Sequence, residues 1–330
     1  MYSNKSYCNV CDNKILKIGS ERKISLKDKL DWEFDSTFIL SEFKIAKCYL
    51  GFCKKCLSIS HYPFFNTNKL YNAKGYKVRK KIFEMYEKRK YGNILKKYSI
   101  KKEFNFAQNE FQRFKKISNF IKENCDHYVS KNFNILDYGG GDGYISKCFK
   151  NLLEANSNIK VYTSNFDPIK WKKNSKIFVK KKFDFIIMSH VIEHLNNPLK
   201  IIKNLKKNYL NKNGFIFVEV PDERTRFIKL IAKNKIGLHY HVTHHTRNSL
   251  ERMFIKCNFD FVKTKYTYLS SYRGENLKTI LCLAQNNIKN KNKINFETSV
   301  LKYVYEFFSF LVLCIYSTKK ILKDKKFSFF

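Results

Sequence analysis

Negative charge is scarce in this 330-residue chain: 28 Asp and Glu stand against 65 Lys and Arg, for a formal charge of +37. Arginine is scarce too, 9 residues beside 56 lysines, which counts against a dedicated phosphate-reading surface, where the forked guanidinium is favoured. The lysines are scattered over the whole length among Asn, Ile, Phe and Tyr, as a biased nucleotide composition would leave them. Most of the charge therefore reads as a solvated coat, though its field would still draw in a phosphate-bearing substrate. No apolar stretch reaches the roughly 20 residues of a comfortable membrane span. The opening MYSNKSYCNVCDNK lacks the apolar core of a signal peptide, so a reducing cytoplasm and cysteines free to act as thiolates are expected.

Glycine is sparse, 11 in all, and four of them fall within ILDYGGGDG, residues 135–143. Ile135 and Leu136 end a short apolar run that reads as a buried strand. Beyond the glycines, Ile145, Cys148, Phe149, Leu152 and Leu153 recur as one face of a helix. Strand, glycine turn and helix form the setting in which backbone N–H groups can cradle a nucleoside-bearing cofactor. The G-x-G-x-x-G/A pattern of an NAD site is not met, because Tyr144 follows Gly143; the pattern is Asp137-x-Gly139-x-Gly141-x-Gly143. Asp167, after a strand predicted at Ile159–Thr163, is the acid placed to hold ribose hydroxyls. Only 16 residues separate it from Asp184, too few for the usual helix, strand and loop. An abbreviated helix and at most a short strand at Ile177–Val179 are expected there, which makes the adenine side unusual.

Residues 183–222 predict a buried strand at Phe183–Met188, a helix, and a second strand at Phe215–Val220. Asn197 suits the helix N-cap, Pro198 its first turn and Gly214 its far end. His194, just past the first of these strands, lies at the carboxyl edge where such sheets bind ligands, and histidine titrates in the range a proton acceptor needs. Four of the eight histidines crowd into residues 239–245. A metal site is possible there, but with no Cys or Asp nearby a substrate pocket is the preferred reading. A further helix from about Asn248, with Leu250, Met253, Phe254 and Cys257 on one face, precedes strands near 259–268 and 277–285. At the N-terminus Cys8-x-x-Cys11 and Cys53-x-x-Cys56 are knuckles of the kind that close a tetrahedral Zn–S₄ site. Cys48 is a spare or a substitute ligand, and Cys125, Cys148, Cys257, Cys282 and Cys314 read as core packing.

The glycine loop and Ser189-His190-Val191-Ile192-Glu193-His194-Leu195-x-x-Pro198, at this separation, resemble class I S-adenosylmethionine (SAM) methyltransferases. The resemblance implies an α/β fold with a Rossmann-like seven-stranded sheet. It implies that Asp137, Gly139, Gly141, Gly143 and Asp167 hold SAM, with Ser189 and His190 near its methionine end. With the cysteine knuckles, residues 7–60 and 105–285 are similar to the bacterial sugar C-methyltransferases, in which a zinc domain helps to form the substrate pocket. That likeness implies a small N-terminal zinc-ribbon-like module with structural Zn²⁺ on Cys8, Cys11, Cys53 and Cys56. It also implies a nucleotide- or lipid-linked sugar as acceptor in surface-polysaccharide synthesis, His241 as a second acid/base group beside His194, and His244 and His245 in the substrate pocket. The chain departs from that group in two ways. Where the group carries a Tyr-His-x-His-x-x-Tyr-Phe-Ser type of segment, this chain has Leu238 and His244 at the tyrosine positions, and it stops short of the group's further C-terminal domain.

The expected organisation is a zinc module over 1–65, a helical connector over 66–130, the methyltransferase domain over 131–285, and a linker with an apolar, basic C-terminal helix over 286–330. Within the connector, Glu103–Cys125 predicts an amphipathic helix (Phe111, Phe114, Ile117, Ile121) over the cofactor side of the sheet. The terminal helix, Tyr303–Tyr316 with its trailing lysines, docks on the domain or on a second subunit. Its alternative is peripheral contact with the inner membrane face through residues 303–326. Two rival functions remain: a nucleic-acid methyltransferase whose zinc module grips RNA, and a non-catalytic zinc-binding interaction protein. Against the first, the strand before His190 does not end in the Asp/Asn-Pro-Pro-Tyr element of enzymes that methylate exocyclic base nitrogens.

Overall fold

The computed structural model describes residues 7–23, 47–62, 113–124, 132–140, 143–155, 159–166, 182–222, 241–270 and 276–286. At its centre is a six-stranded mixed sheet. Strands β4 (Asn132–Tyr138), β5 (Lys160–Phe166), β6 (Phe183–Ser189) and β7 (Leu210–Pro221) are parallel; β9 (Phe261–Ser270) and β10 (Asn276–Gln285) close one side antiparallel, in the order β5-β4-β6-β7-β10-β9. The crossovers are helical: α2 (Tyr144–Ala155) links β4 to β5, and α3 (Pro198–Asn208) links β6 to β7. Six strands rather than seven therefore stand among the described residues; the short strand expected at 177–179 lies outside them. So do Asp167, Gly141, the 239–240 histidine stretch and the whole 286–330 tail apart from Asn286.

Residues alternate between the two faces of the sheet, as a pleated strand requires. Ile135, Phe185, Ile187, Phe215, Phe217, Leu281 and Leu283 face one side, covered by α2 and by helix α1 (113–124) through Ile117, Phe120 and Ile121. This described part, 113–124, agrees with the expected amphipathic helix; residues 103–112, Phe111 among them, and Cys125 lie outside the described residues. Leu136, Ile186, Met188, Ile216 and Val218 face the other side, against Leu199, Ile202 and Leu205 of α3 and Leu250, Met253 and Phe254 of helix α4 (Arg247–Lys256). Each such Leu or Ile taken from water to burial contributes about 1.5–3 kcal/mol.

Helix α3 begins as its sequence predicts, with Asn197 Oδ1 accepting from Lys200 N at 3.0 Å and Pro198 in the first turn. Its end differs. The cap is Tyr209, and Gly214 lies inside β7, where an added Cβ would sit 2.8 Å from Leu210 Cδ1 and 3.0 Å from the Asp184 carbonyl. Close packing, not a left-handed helix cap, explains that glycine. Helix α4 starts one residue earlier than expected, because Thr246 and Ser249 form a capping box.

The cysteine region forms a second sheet. Strands β1 (Leu16–Lys23), β2 (Lys47–Phe52) and β3 (Ile59–Tyr62) run antiparallel, and the fourth strand is the two-residue β8 (Thr243–His244), paired Ile59 to His244 and Ser60 to Thr243. Cys8, Val10, Cys11, Cys53, Cys56 and Tyr62 belong to the same buried cluster as α3 and α4.

Candidate active site

The glycine turn leaves β4 at Asp137, which is buried, and Asp137 Oδ2 accepts from Ser146 N of α2 at 3.4 Å. Its Oδ1 is buried without a hydrogen bond, and burial raises its pKa. Gly139 and Gly143 adopt φ of +79° and +70°, the left-handed region that favours glycine. A Cβ at Gly139 would lie 2.6 Å from Val191 Cγ2, and one at Gly140 would lie 2.1–2.4 Å from the Asp137 carboxylate. Gly140 thus joins the expected residues as one the sequence pattern did not single out. A nucleoside cofactor fits here on two counts: an acceptor oxygen awaiting a donor, and a turn whose backbone only bare glycines leave approachable. Across the sheet edge, Asn165 pairs with Asp137 in register, and Tyr138 stacks on Phe166 with centroids 4.7 Å apart.

At the end of β6, Ser189 Oγ donates to Glu219 Oε2 at 2.6 Å and accepts from Arg113 Nη2 at 3.0 Å. Arg113 reaches from the first turn of α1 and grips Glu219 with two further bonds of 3.0 and 2.8 Å. His190, at φ +53°, turns back over this pair with Nε2 3.5 Å from Glu219 Oε1 and Nδ1 3.4 Å from Glu193 Oε1. Burial alone would lower the His190 pKa; the carboxylates of Glu219 and Glu193 outweigh it and raise it to about 10. Burial likewise opposes the Glu219 charge, but Arg113 and His190 hold its carboxyl well below the usual range. Arg113, Glu193 and Glu219 escaped the sequence reading. An acid inside the apolar run Phe217-Val218-Glu219-Val220 was the available signal, since a buried carboxylate needs a partner.

The 3₁₀ turn Ile192–His194 and the short segment 241–242 that leads into β8 bring the two expected acid/base groups together. His194 and His241 meet edge-on with centroids 4.7 Å apart, and the Nε2 of each lies 4.0 Å from Glu193 Oε1. His244 and His245 point inward instead. His244 Nε2 is 3.1 Å from His61 Nε2 across the β3–β8 ladder. His245 Nδ1 is 3.2 Å from Ser249 Oγ, and burial lowers its pKa to about 4.

The four cysteines converge. Sγ atoms are 3.6 Å apart for Cys8 and Cys56 and 3.4 Å for Cys11 and Cys53, and all four lie within 4.8 Å of one another. A tetrahedral ion with about 2.3 Å metal–sulfur bonds sets its ligands about 3.8 Å apart. The knuckles are built alike: Cys8 N donates to Asn13 O and Asp12 N to Cys8 O, as Cys53 N does to Ser58 O and Leu57 N to Cys53 O. Asp12 and Leu57 share a positive φ. Hydrogen bonds from Cys53, Cys56 and Cys8 hold Cys11 well below the usual thiol range, whereas burial pushes Cys56 up. Cys48 sits in β2 opposite Arg22.

A parallel sheet closed by an antiparallel pair, with a glycine cradle at the carboxyl end of β4, defines an α/β methyltransferase of class I that uses SAM. The family model described as "Methyltransferase domain" matches residues 93–264, just over half the chain, and the chain belongs to that family. Solved structures with detectable similarity include a SAM-dependent methyltransferase from Methanosarcina mazei, 16% identical, covering 50% of this chain and 97% of its own, with a TM-score of 0.37. Another from Thermotoga maritima is 14% identical and covers 61% and 98%, with a TM-score of 0.34. The small RNA methyltransferase HEN1 is 13% identical and covers 53% and 25%, with a TM-score of 0.33. Similarities of this size carry nothing about acceptor or mechanism. A comparison with curated proteins finds no match.

Proposed function

We propose that the enzyme methylates a sugar or glycan precursor, nucleotide- or lipid-linked, in surface-polysaccharide synthesis, and that Cys8, Cys11, Cys53 and Cys56 hold a structural Zn²⁺. The observation that carries this reading is the β3–β8 pairing. It makes the cysteine-bearing sheet one wall beside His194 and His241, as a zinc module that shapes an acceptor pocket would have to be.

SAM supplies an electrophilic methyl group. Asp137, Gly139, Gly140 and Gly143, with Gly141 and Asp167, would hold it, and Ser189 and His190 would lie toward its methionine end. In-line displacement at a sulfonium disperses charge rather than creating it, so alignment and exclusion of water supply most of the acceleration. What the protein must add is a way for the acceptor's proton to leave, and His194 and His241 are the groups at which it is drawn off. His244 and His245, turned inward to His61 and Ser249, are positioning residues for that wall. Among the described residues no helix is long and apolar enough to cross a membrane; residues 303–326, for which docking on the domain or a second subunit is the preferred reading and peripheral contact at the inner membrane face the alternative, lie outside them.

The formal charge of +37 favours a second reading, RNA as acceptor. Incubation with labelled SAM and parallel panels of nucleotide sugars and RNA separates the two. Label should enter a sugar nucleotide. Label in RNA alone would overturn the sugar reading, and binding of RNA that is strongly salt-dependent but unproductive would mark the charge as a coat.

A further inference from the structure

We propose that Glu193, His194 and His241 form a site for a divalent transition-metal ion, distinct from the four-cysteine cluster, and that this ion holds an oxygen of the acceptor; the second half rests on the acceptor-pocket reading above. One carboxylate oxygen and two imidazole nitrogens lie within 4.8 Å of one another, with Glu193 Oε1 4.0 Å from each Nε2. Bonds of about 2.1 Å to a shared ion require neighbouring ligand atoms roughly 3.0–3.4 Å apart, so side-chain rotations that close the two Glu193–imidazole separations by about 0.6–1 Å, and draw the imidazoles together with them, would complete the shell.

Burial makes the case stronger than spacing alone. Glu193 is 1% exposed, and neither carboxylate oxygen receives a hydrogen bond. A buried carboxylate without a donor is unfavourable unless a cation compensates it. His190, a cation by its raised pKa, offsets part of this charge, but its 3.4 Å contact reaches Oε1 only and leaves the buried Oε2 with no hydrogen bond. Glu193 and His194 are adjacent on one short 3₁₀ turn, and His241 is fixed by the following strand β8, so the three ligands come from two anchored segments. Two imidazoles and one carboxylate, with the remaining positions open, suit Mn²⁺, Fe²⁺, Co²⁺ or Zn²⁺ rather than the all-oxygen shells of Mg²⁺ and Ca²⁺. An acceptor hydroxyl on such an ion would lose its proton more readily, to solvent water; with the ion bound, the two imidazoles would act as ligands and not as the groups that take that proton.

The test titrates the full-length protein with Mn²⁺, followed by electron paramagnetic resonance, and with Co²⁺, followed by visible absorption. Thiolate charge-transfer bands report the cysteine cluster, and weaker nitrogen- and oxygen-ligand bands report this one. One saturable Mn²⁺ per chain is expected, weakened at least tenfold in Glu193→Gln and in His241→Gln, with SAM affinity by calorimetry unchanged as the check on folding. If a variant fails to bind SAM, the wild-type Co²⁺ spectrum decides alone. Absence of any saturable Mn²⁺ or nitrogen/oxygen Co²⁺ site, or binding indifferent to both substitutions, overturns the proposal. Neither readout uses an acceptor, so a wrong sugar assignment would leave the metal result standing, and the reverse.

Discussion

Replacing Arg113 with Met removes the cation that faces a fully buried carboxylate while keeping the alkyl stem. Glu219 has 0% side-chain exposure and Arg113 16%, and the pair is joined by bonds of 3.0 and 2.8 Å. Deleting one partner of a buried ion pair costs about 3–5 kcal/mol, because the other charge is stranded; partial exposure of Arg113 places the expected loss near the lower bound, about 3 kcal/mol. The double variant Arg113→Met/Glu219→Leu removes both charges and should recover more than half of that loss. Urea unfolding at pH 7 measures both, with unchanged slopes showing that the native state is comparable. The pH dependence adds an independent check. In the parent protein the Glu219 pKa is depressed, so its stabilisation is present above the ordinary value of 4.5 and is lost as pH falls below it. In Arg113→Met that contribution is gone, so the gap between the two proteins must narrow from pH 7 to pH 4. A single-variant loss below about 1 kcal/mol, or a gap that stays constant across that range, would refute the stranded-charge argument.

Gly140→Ala pushes a methyl to 2.1–2.4 Å from the Asp137 carboxylate; SAM affinity by calorimetry should fall at least ~10-fold, and undiminished affinity would remove this turn from the cofactor site. Cys53→Ser should release one equivalent of zinc by metal analysis and lower the thermal midpoint by ~5 °C or more; an unchanged midpoint would mean that the cluster holds nothing of structural weight. His245 is held neutral, with its pKa lowered from 6.5 to about 4 by burial. Its unfolded form therefore takes up the proton first, so stability is full above pH 6.5 and lost as pH falls toward 4, by up to roughly 3 kcal/mol. His245→Asn should flatten that slope in pH-dependent urea titrations.

The elements legible in the sequence were those whose physics is local. The turn after β4 could be read because close backbone approach needs absent Cβ atoms in a row, and the start of α3 because Asn197 and Pro198 act within one turn. The four metal-type cysteines were legible for the same reason, since a knuckle is a four-residue unit. What escaped was non-local or too short for periodicity. Strand β8 has two residues, and only its pairing with β3, more than 180 residues away in sequence, makes it a strand. Gly140 matters because Asp137 folds back beneath it. Gly214 looked like a helix stop because glycine serves both as a cap and at tight packing, and one sequence does not say which. Arg113 and Glu219 are separated by 106 positions, and no pattern within either segment announces the other.

The link between the cysteine cluster and the histidines is denser than a two-residue strand suggests. Asn9 Nδ2 donates to Thr243 Oγ1 at 2.7 Å, and Thr246 Oγ1 to the Cys56 carbonyl at 3.1 Å. Asn248 Nδ2 donates to the Lys55 carbonyl at 3.3 Å, and Lys256 Nζ to the Cys11 carbonyl at 2.8 Å. Both knuckles thus hold helix α4, one at its first turn and one at its last, and add to the β3–β8 ladder and the bond from His61 N to the Val242 carbonyl that already fix the segment 241–246. Each neutral bond is worth about 1 kcal/mol net, too little singly to define a site. Together they make the position of His241 relative to His194 depend on whether the four sulfurs are held. Emptying the cysteine cluster should then displace His241 while the Asp137 turn, anchored on the opposite face by α2, keeps its geometry. Acceptor turnover should fall before SAM affinity does.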